Sequence, residues 1–447
     1  MTVRAAPQDI LDHLIQSARR TGADAADAIL VASVAASVAY RLGRLEELER
    51  TESWDLGLRV FAGDRIAFVS STDLSPQTLA ELPERALAMA RLAPEDKFAC
   101  LAPIDRLAKS WPALDLEDTN EPSIEILIER ARLVEAAAMS VPGITNSEGG
   151  GASFGRSEIA LATSDGFFGC YAGTTHNLGV AVLAGEGTAM ERDYESVSVR
   201  HADDLEGAEA VGRRAGERTI ARLNPRKAKS QTIPVIFEPR VASGLLGHFA
   251  GAISGASIAR GVSFLKDCMG SEVFSSSINI IDDPHRPRGL RSKPFDGEGV
   301  QNKRLPLIER GILKTWILDC ASAKQLGLRT TGHAARGTGG PPSPSTTNLY
   351  MEAGQASPDE LMADIRQGFF VTELMGMGVN MVTGDYSRGA SGYWIEDGRI
   401  AYPVAGITIA GNLKDMFRHI TPANDLVFRH GSNAPTLRIE GMTIAGE

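Results

Sequence analysis

Apolar residues recur at helical spacing through Ile10, Leu11, Leu14, Ile15 and Ala18, and Gly22 ends the pattern, so the chain opens on a helix. The stretches Ala28 to Tyr40, Leu56 to Phe61 and Arg65 to Ser70 are rich in Val, Ile and Phe, with Ala62-Gly63-Asp64 as a turn, and predict an antiparallel meander. Ser75-Pro76 has the form of a helix N-cap with proline in the first turn and starts a helix toward Leu92. A further helix follows Pro122, with Ile124, Leu127, Ile128, Ala131, Val134 and Ala138 on one face. Strand-like segments return from Ser153 to Arg200, turning at Ser164-Asp165-Gly166 and Gly185-Glu186-Gly187, before a helix from about Leu205 to Leu223.

The polar run Asn224 to Ser230 has no apolar face to bury and marks the main domain boundary. Thr232 to Phe237 then reads as a strand, Gly337 to Pro344 as a loop, and Ser357-Pro358-Asp359-Glu360 as a capping box. The expected organisation is α+β in two domains, 1–224 and 231–447.

Charge removes several classes of function. The 46 basic and 56 acidic residues give a net charge of −10, which disfavours nucleic acid as a direct partner. The longest nearly apolar stretch, Ala28 to Ala39, is too short to span a bilayer, so no membrane partner is expected. Arg4 followed by Asp9 and Asp12 leaves no room for a secretory signal, and Cys100, Cys170, Cys268 and Cys320 form no CxxC pair. A cytoplasmic protein with reduced thiols is the expectation.

Gly149-Gly150-Gly151 matches no phosphate-binding pattern and reads as a flexible turn, and Asp282-Asp283-Pro284-His285 as a surface turn. No GxSxG elbow is present, and a lone serine such as Ser391 has no assignable base. The informative stretch is Val241 to Phe264, helical and rich in small residues around Leu245-Leu246-Gly247-His248-Phe249-Ala250-Gly251-Ala252-Ile253.

In that helix the chain resembles the TldD/TldE (PmbA) family, once named modulators of DNA gyrase. The resemblance extends to Phe295-Asp296-Gly297-Glu298-Gly299-Val300, Thr330-Thr331-Gly332-His333-Ala334-Ala335-Arg336, Val382-Thr383-Gly384-Asp385-Tyr386-Ser387-Arg388-Gly389-Ala390, Gly392-Tyr393-Trp394-Ile395-Glu396, Ile407-Thr408-Ile409-Ala410-Gly411-Asn412-Leu413 and Ala434-Pro435-Thr436-Leu437. Catalytic members of the family carry HExxxH on this helix. Here the three positions are His248, Phe249 and Ile253, and no cysteine lies between Thr421 and Glu447, where the family has its third ligand. A zinc peptidase needs about three protein ligands and a carboxylate to take a proton from the bound water, and Phe249 serves neither purpose. Positions five apart on a regular helix are rotated by about 140°, so even two histidines here would need a bent helix to converge.

The resemblance therefore implies the TldE side of the family. That is a non-catalytic subunit with no cofactor of its own, paired with a TldD-like catalytic subunit that carries zinc, enclosing a chamber for unfolded or small peptides. A homodimer when isolated is also open. His248, Ser387 and Arg388 are the candidate peptide-binding residues, with Gly384-Asp385 and Gly389 bracketing the last two as a loop. Cys320 is read as a core thiol, and Asp296 and Glu298 as turn caps. An independent hydrolase with an unrecognised site, or a protein-binding modulator of DNA gyrase, are the alternatives.

Overall fold

The computed structural model describes residues 6–446; Arg4, on which part of the N-terminal reading rests, lies outside them. Helix α1 (Pro7–Thr21) buries Ile10, Leu11, Leu14, Ile15 and Ala18, and Gly22 ends it in the left-handed region at φ 112°. Strands β1 (Ala25–Arg41), β2 (Arg44–Ala62) and β3 (Arg65–Ser71) form the antiparallel meander. β2, however, begins at Arg44 rather than Leu56. Its first ten residues are mostly charged, all exposed and paired only with β1, because β3 reaches no further than Leu56, so they show no alternation toward a core.

Helices α2 (Pro76–Leu92) and α3 (Ile124–Met139) start at Ser75 and Ser123, whose hydroxyls accept from the Thr78 and Ile126 amides. Strands β4 (Ile144–Thr163), β5 (Phe168–Ala184) and β6 (Glu191–Val199) and helix α4 (Ala208–Ala221) complete this half. The sheet runs β3-β2-β1-β4-β5-β6. All four helices lie on one face: α1 and α2 cover Ala28, Leu30, Ala160 and Ala162, while α3 and α4 cover Ala36, Val38, Ala152 and Leu178. The other face shows Ser33, Ala35 and Ser37 beside Gly151, Ser153, Gly155 and Ser157, half-buried except for the exposed Ala35 and without a helix over them.

The glycine triplet is not a turn. Gly149, Gly150 and Gly151 lie inside β4, and a Cβ at Gly150 would stand 2.4 Å from the Ala131 carbonyl of α3, so a glycine is needed for close helix–sheet approach.

The second half opens on β7 (Gln231–Phe237) and helix α5 (Pro239–Ala252). Strands Gln367–Met375, Asp385–Glu396, Arg399–Asn412 and Leu437–Ala445 join β7 in a closed five-stranded barrel, sealed by Thr408 to Ala410 pairing with Thr443 to Ala445. Its core includes Val235, Phe237, Phe369, Val371, Ile407, Ile409, Leu437 and Ile444. Ser387 and Arg388 are therefore strand residues, opposite Ala410 and Ile409, not a loop. The capping box at Ser357 and Glu360 is formed, and Cys320 is buried.

Asp282 is likewise no surface residue. The apolar run before it continues as strand Ile280–Asp282, and its buried carboxylate accepts from the Thr347 amide at 2.6 Å and faces His333 Nε2 at 3.2 Å. The run Asn224 to Ser230 is docked: the Arg226 amide donates to Pro403 O at 2.8 Å, its guanidinium lies over Tyr402, and Ala228 is buried in the barrel core. The two halves meet through buried charge as well. Asp27 on β1 holds Arg59 of β2 and, at 2.7 Å, Arg336 from beyond the barrel's first strand. A Cβ at Gly57 would lie 2.3 Å from Thr338 O, so the loop after Arg336 rests directly on β2.

Candidate functional site on helix α5

Ala242, Leu245, Leu246, Phe249 and Ala252 recur at three, four and seven residues and bury one side of α5 in the core. On the outer side, a Cβ at Gly244 or Gly247 would meet nothing within 4 Å, so the helix backbone is open to whatever lies above it. His248 stands at the border, half-buried, its ring edge-on to Tyr386 with 6.0 Å between centroids. Burial, and secondarily the Arg388 charge, hold its pKa below the ordinary imidazole value, so it is neutral at physiological pH. The Tyr386 hydroxyl is buried, which raises its pKa. Arg388 Nε donates to Met375 O at 3.3 Å. Strand alternation puts Tyr386 and Arg388 on the same side; Ser387 is exposed on the other, its amide donating to Gly378 O at 2.7 Å. The fold thus brings His248 and Arg388 together and leaves Ser387 apart.

Phe249 and Ile253 are wholly buried. Phe249 meets Phe274 edge to face at 5.3 Å and Phe417 at 6.2 Å, and Ile253 lies just past the helix end, with its amide bonded to Phe249 O. A metal donor set is not assembled here: among the described residues no three His, Cys, Asp or Glu side chains group as ligands. The Tyr386 ring and the Arg388 charge neighbour His248. The guanidinium can hold a peptide group, the Tyr386 hydroxyl is buried, and neither takes a proton from water at neutral pH.

Sequence reasoning missed the charged network beside α5. Asp193 of β6 binds Arg240 at 2.7 Å, Arg222 reaches Asp193 and Glu373, and Arg218 bridges Glu195 and Glu238 at 2.9 Å each. Asp193, Arg222, Arg240 and Glu373 of this network, with Arg388, border a cavity of about 310 Å³ at the seam between sheet and barrel. The signal was present: Glu191, Asp193 and Glu195 alternate along one strand, and Arg214, Arg218 and Arg222 recur every fourth residue on one helix. Asp296 does cap its turn, accepting the Glu298, Val300 and Ala334 amides, but Glu298 is more than a cap. Its buried carboxyl accepts the Cys320 amide at 2.8 Å, and burial together with the Asp296 charge pushes its pKa up to about 8.

No helix among the described residues is long and apolar enough to cross a membrane. The barrel joined to a helix-backed sheet defines a protein of TldD/TldE architecture. It superposes on a candidate modulator of DNA gyrase from Bacteroides thetaiotaomicron with TM-score 0.91 at 25% identity over 100% of both chains. TldE from Thermococcus kodakarensis gives 0.88 at 22%, covering 97% of this chain and 99% of that one, a likeness of fold alone. The sequence matches PmbA/TldA metallopeptidase domain 1 over residues 26–90, the central domain over 117–223 and the C-terminal domain over 230–446. Metalloprotease PmbA of Escherichia coli O157:H7 is 40% identical over 448 residues, 99% of this chain and 97% of that one. The chain belongs to the PmbA/TldD metallopeptidase family.

Proposed function

We infer that the chain is a non-catalytic subunit, carrying no zinc itself, that pairs with a TldD-like metallopeptidase in the cytoplasm and helps hold unfolded or small peptides for cleavage. The observation that carries this reading is the burial of Phe249 and Ile253 in the aromatic core, which leaves His248 alone on the open side of α5. His248 and Arg388 then serve as peptide-holding groups, Arg388 as a cation for carboxylate or carbonyl oxygens. The two domains, 1–224 and 231–447, would supply facing walls of the chamber.

Association has its own support. The β2 segment from Arg44 to Ser53 pairs with β1 on one side only among the described residues, and Leu45 and Leu48 on it, with Leu42 in the turn before it, are 45%, 46% and 54% exposed. The charged side chains from Arg44 to Glu52 guard this edge against indiscriminate pairing, while its open side and exposed leucines can still be covered by a complementary chain. The isolated chain then has the same edge available for a homodimer.

Purified chain, a TldD-like partner and their mixture, compared by light scattering and by cleavage of an unstructured peptide, test the reading. The mixture is expected to form a complex and to cleave, with zinc found only in the partner. Separate elution with cleavage by the partner alone at full rate would overturn it, as would stoichiometric zinc in this chain.

A further inference from the structure

On the helix-free face of the sheet, the loop 289–293 closes over β4 and β5 and leaves a cavity of about 270 Å³. Ser157, Tyr171, Arg200, Lys293, Ser345 and Thr346 line it, and no carboxylate does. Arg200 is fixed there: Nη1 donates to Thr174 O at 2.9 Å, Nη2 to Leu290 O at 2.6 Å and Nε to Gly289 O at 3.3 Å. Glycine at 173 lets the guanidinium lie against β5, since a Cβ there would stand 3.0 Å from Nη1. All three partners are neutral carbonyls, so the charge is held without a counter-charge, and burial lowers its pKa.

Lys293 adds a second cation, half-buried and, among the described residues, in no ion pair. Burial lowers its pKa too, and Asp296 and Asp282 act on it only from beyond ion-pair distance. Both carboxylates are engaged elsewhere, Asp296 by three amides and Asp282 by Thr347 and His333. Three cations, the half-buried pair Arg200 and Lys293 and the exposed Arg291 at the rim, face one small cavity with hydroxyls and no acid and are electrostatically incomplete, because buried charge is favourable only when paired. An oxyanion supplies the missing charge; Ser157 and Thr346 line the cavity with hydroxyls, while the Ser345 hydroxyl donates to Thr346 O at 3.3 Å.

We propose that this cavity binds a small oxyanion and, resting on the function inferred above, that in use it takes the C-terminal carboxylate of a peptide lying along Ser153, Gly155 and Ser157. The volume accommodates a carboxylate and one residue, not a folded segment.

Calorimetric titration of the full chain with inorganic phosphate, and with one unstructured peptide as free acid and as C-terminal amide, tests this. The variants are Lys293→Met and Lys293→Arg, with thermal unfolding to verify that each is folded. Phosphate and the free acid are expected to compete; Lys293→Met weakens both at least about tenfold, Lys293→Arg restores them, and the amide binds the native chain as weakly as the free acid binds Lys293→Met. Equal affinity for acid and amide, with phosphate still lost in Lys293→Met, overturns the peptide terminus as the source. No phosphate binding, or binding indifferent to Lys293→Met, overturns the site itself. The subunit reading is judged separately, by cleavage with the partner.

Discussion

Rebuilding the metallopeptidase signature on α5 by Phe249→Glu and Ile253→His is expected to unfold the protein before it creates a zinc site. Phe249 is fully buried against Phe274 and Phe417, and deleting such a ring costs about 3–5 kcal/mol. The new carboxyl would have to stay neutral at pH 7, a rise of roughly three pKa units above its free value, or about 4 kcal/mol at 1.36 per unit. The sum, about 7–9 kcal/mol, is a large part of the roughly 5–15 kcal/mol that typically holds a domain together. Guanidinium unfolding followed by circular dichroism measures the loss, and elemental analysis the metal. The sign with pH is fixed as well: a buried acid with a raised pKa penalises the fold increasingly as pH rises above the free carboxyl value, so the variant should recover part of its stability toward pH 4. His248→Ala, at the helix border, should cost no more than about 1 kcal/mol. A double variant with unchanged unfolding midpoint and one zinc per chain would refute both the packing argument and the function built on it.

Other expectations follow from the same geometry. Glu298→Gln keeps the acceptor for the Cys320 amide and removes a buried acid whose pKa is about 8, against 4.5 unperturbed. The folded chain holds that proton while the unfolded chain releases it, so native stability should fall as pH rises from 4.5 to 8 and the variant should gain on it by a few kcal/mol at pH 9, read by urea unfolding across pH. Asp27→Asn strands Arg59 and Arg336 and should cost about 3–5 kcal/mol in the same assay. Native trypsin should leave Arg226, Lys227 and Lys229 uncut at times when other exposed sites are nicked, because the segment is tied to Pro403 and the barrel core; early cleavage there would show that it is undocked.

What the sequence made legible follows the range of the interaction that decides each feature. Helices with one apolar stripe and a hydroxyl cap, such as those starting at Ser75, Ser123 and Ser357, are specified within a few residues of themselves and were readable. The first ten residues of β2 have no core to face, and Gly150 is a glycine because α3 presses on it from outside the strand, so neither announces itself locally. Asp282 and Glu298 look like turn residues in one dimension; the barrel and loops that bury them come from far along the chain.

The site divides in the same way. The resemblance located His248 and its altered neighbours, but only the register of Asp385–Glu396 decides that Arg388 joins it while Ser387 does not. The charged seam is an intermediate case. Acids at alternate positions in β6 and arginines at every fourth position in α4 each declare a single face, and those two faces need only one fact from the fold, that α4 lies beside β6, to become the network that holds Arg240 and the start of α5. A periodic charge pattern without a partner in its own element is therefore a usable sign of a seam. In this chain that seam runs beside the helix on which the family places its chemistry.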